Sequence, residues 1–286
     1  MLDYDKQRDL IKLFTLGVIL VVIFTVIALV LIWKPEKEKE KVFEVGKVDS
    51  VILGEGAILN NYYEQISKWL MEEDLDSIVS LVAEDYLEYN KQTRQDVKEY
   101  LSGKGIIGKN LELIESRTYS VPGYSSVYYL DIKAVNEIYS LTVVIREVSP
   151  NNYTIAFDKF IDYSRNLYNE TVNSIQMEIY ERVRYTNSVE YTFRLKNNYD
   201  RSVTINSNNQ ANSVLLVSTS STAKSPALNT MAAIQVKLET GQFRPFTVVY
   251  NMKDEFDYLT YNTLVLKDVL YDGMQGTTNI EYVLPI

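Results

Sequence analysis

AILNNYYEQISKWLM, Ala57–Met71, is the stretch on which the fold turns. Ile58, Tyr62, Ile66, Trp69 and Leu70 recur at the three- and four-residue spacing that gathers them on one side of a helix, with polar residues on the other. Such a face has to pack on something. Asp74 or Asp76 can cap a short second helix through LDSIVSLVA, and Thr93 opens a third, TRQDVKEYL, closed by Gly103. Four runs of strand character follow: LELIESRTYS at 111–120, SSVYYLDIKA at 125–134, YSLTVVIREV at 139–148 and YTIAFDKFID at 153–162. Turn chemistry separates them at Pro122-Gly123, Asn136-Glu137 and Pro150-Asn151-Asn152. Three helices and then a four-stranded antiparallel meander predict an α+β domain over residues 54–163, its sheet curved around the first helix.

This order, with NNYYEQISKWLMEEDLDSIVSLV as its most telling stretch, resembles the nuclear transport factor two-like, or cystatin-like cone, fold. Behind a membrane anchor, it is similar to the bitopic cone-fold subunits of type IV secretion and conjugation machines. That resemblance implies a role in assembly scaffolding at the membrane. A cone commonly encloses an apolar pocket, and Tyr128, Tyr139 and Tyr153 are candidates to line it.

A connection is expected at residues 164–173. Beyond it the chain reads as strands almost throughout: IQMEIYERVRYTN, SVEYTFRLKNN, RSVTINS, NSVLLVST, AAIQVKLET, PFTVVYN, YNTLVLKDVLY and TTNIEYVLP. Seven or eight short strands over residues 174–286 predict an all-β sandwich. The order SVEYTFRLKNNYDRSVTI, LETGQFRPFTVVYN, TLVLKDVLYD resembles the immunoglobulin-like domains of Gram-positive envelope proteins, without the cysteine pair and central tryptophan of antibody domains.

Toward the other end, residues 34–53 are expected to form a charged stalk. Pro35 stops a preceding helix, and EKEKEK sets like charges four residues apart, which disfavours a new one. Residues 13–33, LFTLGVILVVIFTVIALVLIW, carry no charge. At about 1.5 Å per residue they cover the roughly 30 Å hydrocarbon layer, which predicts an uncleaved transmembrane signal anchor. Leu13, Phe14, Val22, Phe24 and Leu31 would face lipid, and Trp33 would lie at the interface. Residues 1–12 are a short tail with Lys6, Arg8 and Lys12, whereas Lys34, Lys37, Lys39, Lys41 and Lys47 follow the anchor. That count opposes an outside placement, but large domains translocate largely regardless of charge. The Thr, Ser, Asn and Tyr-rich strands favour an extracytoplasmic body.

The net charge of -9 argues against nucleic acid as a partner, since a phosphate backbone needs a basic surface. Cysteine and histidine are both absent, which removes disulfides, thiol nucleophiles, ordinary zinc sites and the commonest base near neutral pH. Gly103–Lys109, GKGIIGK, matches a dinucleotide fingerprint in letters only, because it follows a helix and precedes a strand. It reads as a helix-to-sheet loop whose Lys104 and Lys109 could meet an acidic partner. Acidic clusters occur at Glu72, Glu73, Asp74 and Asp76, at Glu84, Asp85 and Glu88, and at Asp254, Glu255 and Asp257. None has the spacing of a calcium loop, and helix-end solvation accounts for the first two.

No catalytic, cofactor-binding or metal-binding residue is therefore assigned, and no cofactor is expected. The expected function is a non-enzymatic, membrane-anchored scaffold of a cell-envelope machine. Its partners would be the lipid bilayer, other membrane or envelope proteins, and a second copy of itself if it forms a homo-oligomer. The alternative is a tethered binding protein for a small molecule or cell-wall glycan.

Overall fold

The computed structural model describes residues 53–149, 152–210, 213–218, 222–224, 235–252 and 260–285. The anchor segment with Leu13, Phe14, Val22, Phe24, Leu31 and Trp33 lies outside them, as do residues 34–52 of the stalk. Among the described residues no helix is long and apolar enough to cross a membrane.

Four helices open the body: α1 (Leu53–Met71), α2 (Leu75–Ser80), α3 (Glu84–Asn90) and α4 (Arg94–Gly103). Tyr62, Ile66 and Leu70 of α1, four residues apart, are its buried stripe. Asp74 is the cap of α2: its carboxylate accepts from the Ser77 amide at 3.2 Å and the Ser77 hydroxyl at 2.6 Å. At α4, Thr93 and Asp96 form a reciprocal capping box, an arrangement that contributes about 1 kcal/mol. The unexpected helix is α3. Its N-cap is Ala83, which has no side-chain acceptor, so the sequence carries no start signal there.

The strands form three sheets. β1 (Leu111–Tyr119), β2 (Ser126–Ala134), β3 (Ser140–Ser149) and β4 (Asn152–Phe157) make an antiparallel meander. β4 stops at Phe157 because Asp158 and Lys159 both take positive φ, 53° and 68°, the conformation of a tight two-residue turn. Then come β5 (Phe160–Val172), β6 (Ile175–Tyr185), β7 (Ser188–Asn197), β8 (Val203–Ile205), β9 (Val214–Ser218), β10 (Ala223–Lys224), β11 (Val236–Leu238), β12 (Phe243–Asn251), β13 (Tyr261–Tyr271) and β14 (Thr278–Val283). The second sheet runs β12-β7-β6-β5, and the third runs β10-β9-β13-β8-β11 with β14 also paired to β13.

Two apolar cores result. Tyr62, Ile66 and Leu70 meet Tyr128, Leu130 and Ile132 of β2 in the first, and Phe160 and Val183 of the second sheet join them. Met177, Phe193 and Phe246 meet Leu216, Leu264 and Tyr282 of the third sheet in the other core. Val127, Tyr129 and Val144, on the reverse face of the first sheet, are buried in this second core.

That sharing corrects the expected architecture. A cone domain of three helices and four strands, followed by a separate sandwich, is not what the chain builds. Among the described residues there are four helices, most of the body is strand in three sheets, and Gly54–Ile286 forms one compact unit. The face of the first sheet turned away from the helices is occupied by the second half of the chain. Nor are residues 164–173 a connection: up to Val172 they are the second half of β5, turning into β6 through Asn173 and Ser174 at φ 47° and 64°. This half-strand is a sheet edge and largely exposed, so most of its residues are polar, and Leu167, Tyr168 and Val172, which pack against the second core, do not follow the alternation of a half-buried strand.

Candidate functional site

Two places on the body carry unusual chemistry. One is the β2–β3 turn with the loop that joins α4 to β1. Asn136, at φ 60°, tightens the turn, and the Ala134 amide donates to the Tyr139 carbonyl at 3.0 Å. Gly105, at φ +71°, lies against the Tyr139 ring so closely that an added Cβ would come within 3.1 Å of it. Ile106 is fully buried beside it and pins the loop, while Ile138 is 90% exposed at the turn and Val135 and Tyr139 are also exposed. Lys109 pairs with Glu137 and lies 5.1 Å from the Tyr139 ring centroid. Lys104 turns elsewhere, to the Tyr100 ring at 4.4 Å and to Asp158 at 4.0 Å. Of the two lysines expected to meet a partner, only Lys109 adjoins the apolar tip.

The other place is a buried network of arginines and aspartates where the two cores meet. Ile175, Met177 and Ile179 of β6 face the second core, and a register shift between Ile179 and Glu181 re-aims the remainder of the strand. Arg182 and Arg184 consequently share the face beside Tyr191 and Pro122, while Val183 goes to the helical core. Arg184, 4% exposed, donates from Nε to Asp162 Oδ1 at 2.8 Å, from Nη2 to Asp162 Oδ2, and from Nη2 to the Pro122 carbonyl at 3.0 Å. Arg146 of β3, also 4% exposed, donates to both Asp85 oxygens at 2.8 and 2.9 Å and to the Ile161 carbonyl at 2.7 Å. Both pairs are two-pronged, the geometry in which guanidinium and carboxylate bind best.

Burial pushes the Asp162 carboxyl up, but the Arg184 hydrogen bonds and the charges of Arg184, Arg182 and Arg146 outweigh it and hold the group below its usual range. Burial also drives the Tyr124 hydroxyl, beside Arg146, up to about 12. Among the described residues Arg182 forms no direct carboxylate pair, although the charge of Asp162 favours its charged form. Its Nη2 is 3.4 Å from Ser164 Oγ, its Nε has no hydrogen-bond partner, and burial together with neighbouring Arg184 lowers its pKa. It lines an open groove of about 380 Å³ with Pro122, Tyr124, Ser164, Leu167 and Pro285, and behind it lies a cavity of about 20 Å³.

The three tyrosines proposed to line a pocket do not gather. Tyr128 and Tyr153 both pack on Tyr62 of α1, with ring centroids 5.5 and 4.7 Å away, and Tyr128 donates to Glu147 at 3.3 Å. They are core packing, whereas Tyr139 is at the surface tip. The second acidic cluster also differs from helix-end solvation: Glu84 pairs with Arg94, Asp85 with Arg146 and Glu88 with Arg165. Asp74 caps α2 and Asp76 pairs with Lys98; Asp254, Glu255 and Asp257 lie outside the described residues. Among the described residues no group of three acidic side chains is placed to hold a metal.

Sequence patterning does not reveal the arginine network. One signal for it is visible, the i,i+2 spacing of Arg182 and Arg184, which a strand places on one face. Their partners come from β5, and the second pair joins α3 to β3, so only the topology unites them.

Fold and site together define a β-rich body with a helical layer, fastened by a buried ionic network and bearing an exposed apolar turn. No family model matches the chain, and neither a curated protein nor a solved structure matches it.

Proposed function

We propose that the chain is a membrane-attached, non-enzymatic interaction subunit whose β2–β3 turn docks onto another membrane or envelope protein. The observation that carries this is Ile138, 90% exposed at a tight turn and flanked by exposed Val135 and Tyr139. Exposed apolar groups held on a braced turn are a common form of protein contact site. The uncharged stretch Leu13–Trp33 supports attachment to the bilayer, with the body on the extracytoplasmic side.

The test is affinity recovery of the full chain from detergent-solubilised membranes. The wild type brings down a reproducible set of membrane proteins, Ile138→Asp loses most of that set, and Ile114→Asp, an exposed change on β1, keeps it. A lone monomer from wild-type membranes would sink the contact role, and release of the chain by alkaline carbonate would sink the attachment.

A second function, a tethered binding protein for a small molecule, is favoured by one observation, the groove beside Arg182.

A further inference from the structure

The network holds three guanidinium groups, buried Arg146 and Arg184 and half-buried Arg182, against two carboxylates, buried Asp162 and half-buried Asp85. Each aspartate is engaged by one arginine through both oxygens, so neither is left for Arg182. One positive charge remains over, in a chain whose net charge is -9. A charge withdrawn from water without a counter-ion is destabilising. Burial and the neighbouring Arg184 oppose the charged form of Arg182 more than the charge of Asp162, already engaged by Arg184, favours it, and its Nε lacks a partner. A simple fastening of the two cores would need only the two closed pairs.

Arg182 is also reachable. It forms part of the wall of the 380 Å³ groove, where Ser164 offers a hydroxyl and Pro122, Leu167 and Pro285 supply apolar surface. We propose that this groove binds a single carboxylate group attached to a small apolar moiety, with the Arg182 guanidinium as its counter-ion. A planar carboxylate matches the fork of a guanidinium. One negative charge matches the excess of one, and Asp162, in the same wall, would repel a second. Phosphate, which carries nearly two charges at neutral pH, is disfavoured for that reason.

The site stands independently of the membrane contact at Ile138, and its test needs no partner protein. Titration calorimetry on the full chain in detergent, with acetate, 3-phenylpropionate and inorganic phosphate as probes, reads it directly. Saturable binding of 3-phenylpropionate is expected, several-fold tighter than acetate, with phosphate weakest. Arg182→Lys keeps the charge but loses the fork, and should weaken binding on the order of tenfold. Arg182→Met abolishes binding and, by removing a half-buried charge that no carboxylate pairs directly, raises the Tm of the ligand-free protein by about 2 °C. That gain shows the variant is folded. Silence of the wild type toward both carboxylates, a phosphate response equal to theirs, or a lower Tm in folded Arg182→Met would each overturn the assignment.

Discussion

Asp85→Ala is expected to destabilise the body by about 3 kcal/mol, the lower end of the range for a buried ion pair, since Arg146 is buried but Asp85 is 27% exposed. Asp85 accepts both prongs of Arg146 at 2.8 and 2.9 Å and the Tyr163 amide at 3.2 Å. Without it, Arg146 keeps only uncharged acceptors, chiefly the Ile161 carbonyl at 2.7 Å and Thr154 Oγ1 at 3.0 Å, and remains a buried charge. The effect comes from the stranded arginine and not from the lost attraction as such. A double variant, Asp85→Leu with Arg146→Met, should therefore recover most of the loss. Urea unfolding of the full chain in mild detergent reads both variants. A loss below about 1 kcal/mol for Asp85→Ala would show that water reaches Arg146 after all.

The Asp162–Arg184 pair adds a pH dependence whose sign is set by the direction of the shift. Asp162 has a folded-state pKa below its unfolded value. Its contribution is thus fully present above the unfolded value of about 3.9, and is lost as pH falls through the lower folded value. This pair should leave stability flat from pH 7 down to about 5 and steepen its fall below about pH 4. In Asp162→Asn the acid slope should flatten while stability at neutral pH drops. An unchanged acid limb would remove Asp162 as its source.

Local structure was legible in the sequence wherever one face of an element meets water. The runs expected at 111–120, 125–134 and 139–148 coincide to within a residue or so with β1, β2 and β3, and Thr93 and Asp74 do cap helices. Legibility fails where the usual signals are missing. α3 begins after alanine, β4 ends on Asp-Lys instead of a glycine turn, and the outer half of β5 is only partly buried, with Leu167, Tyr168 and Val172 against the second core at no regular alternation. The ionic network was invisible for a different reason: Asp85 and Arg146 are sixty-one residues apart, and nothing local marks either as a partner of the other. Ile138 could be read as a turn neighbour, but nothing in its local pattern marks it as 90% exposed.

The largest consequence of the corrected architecture is cooperative unfolding. Leu130→Ala, in the helical core, and Phe193→Ala, in the core between the second and third sheets, are each expected to cost about 3–5 kcal/mol, since both side chains are fully buried. Two independent domains would show two transitions, with each variant lowering only its own. Here Val127, Tyr129 and Val144 of the first sheet are buried among the side chains of the second core, and Phe160 and Val183 of the second sheet are buried in the first. Melting either core would expose part of the other, and would also strand Arg146, held between α3 and the start of β5. Both variants should therefore lower one shared transition, with calorimetric and van't Hoff enthalpies in agreement. Separate shifts of two resolved transitions would mean that the shared side chains contribute too little to join the cores. The boundary near residue 163, drawn from the sequence, would then be a true domain boundary and not a point within a single body.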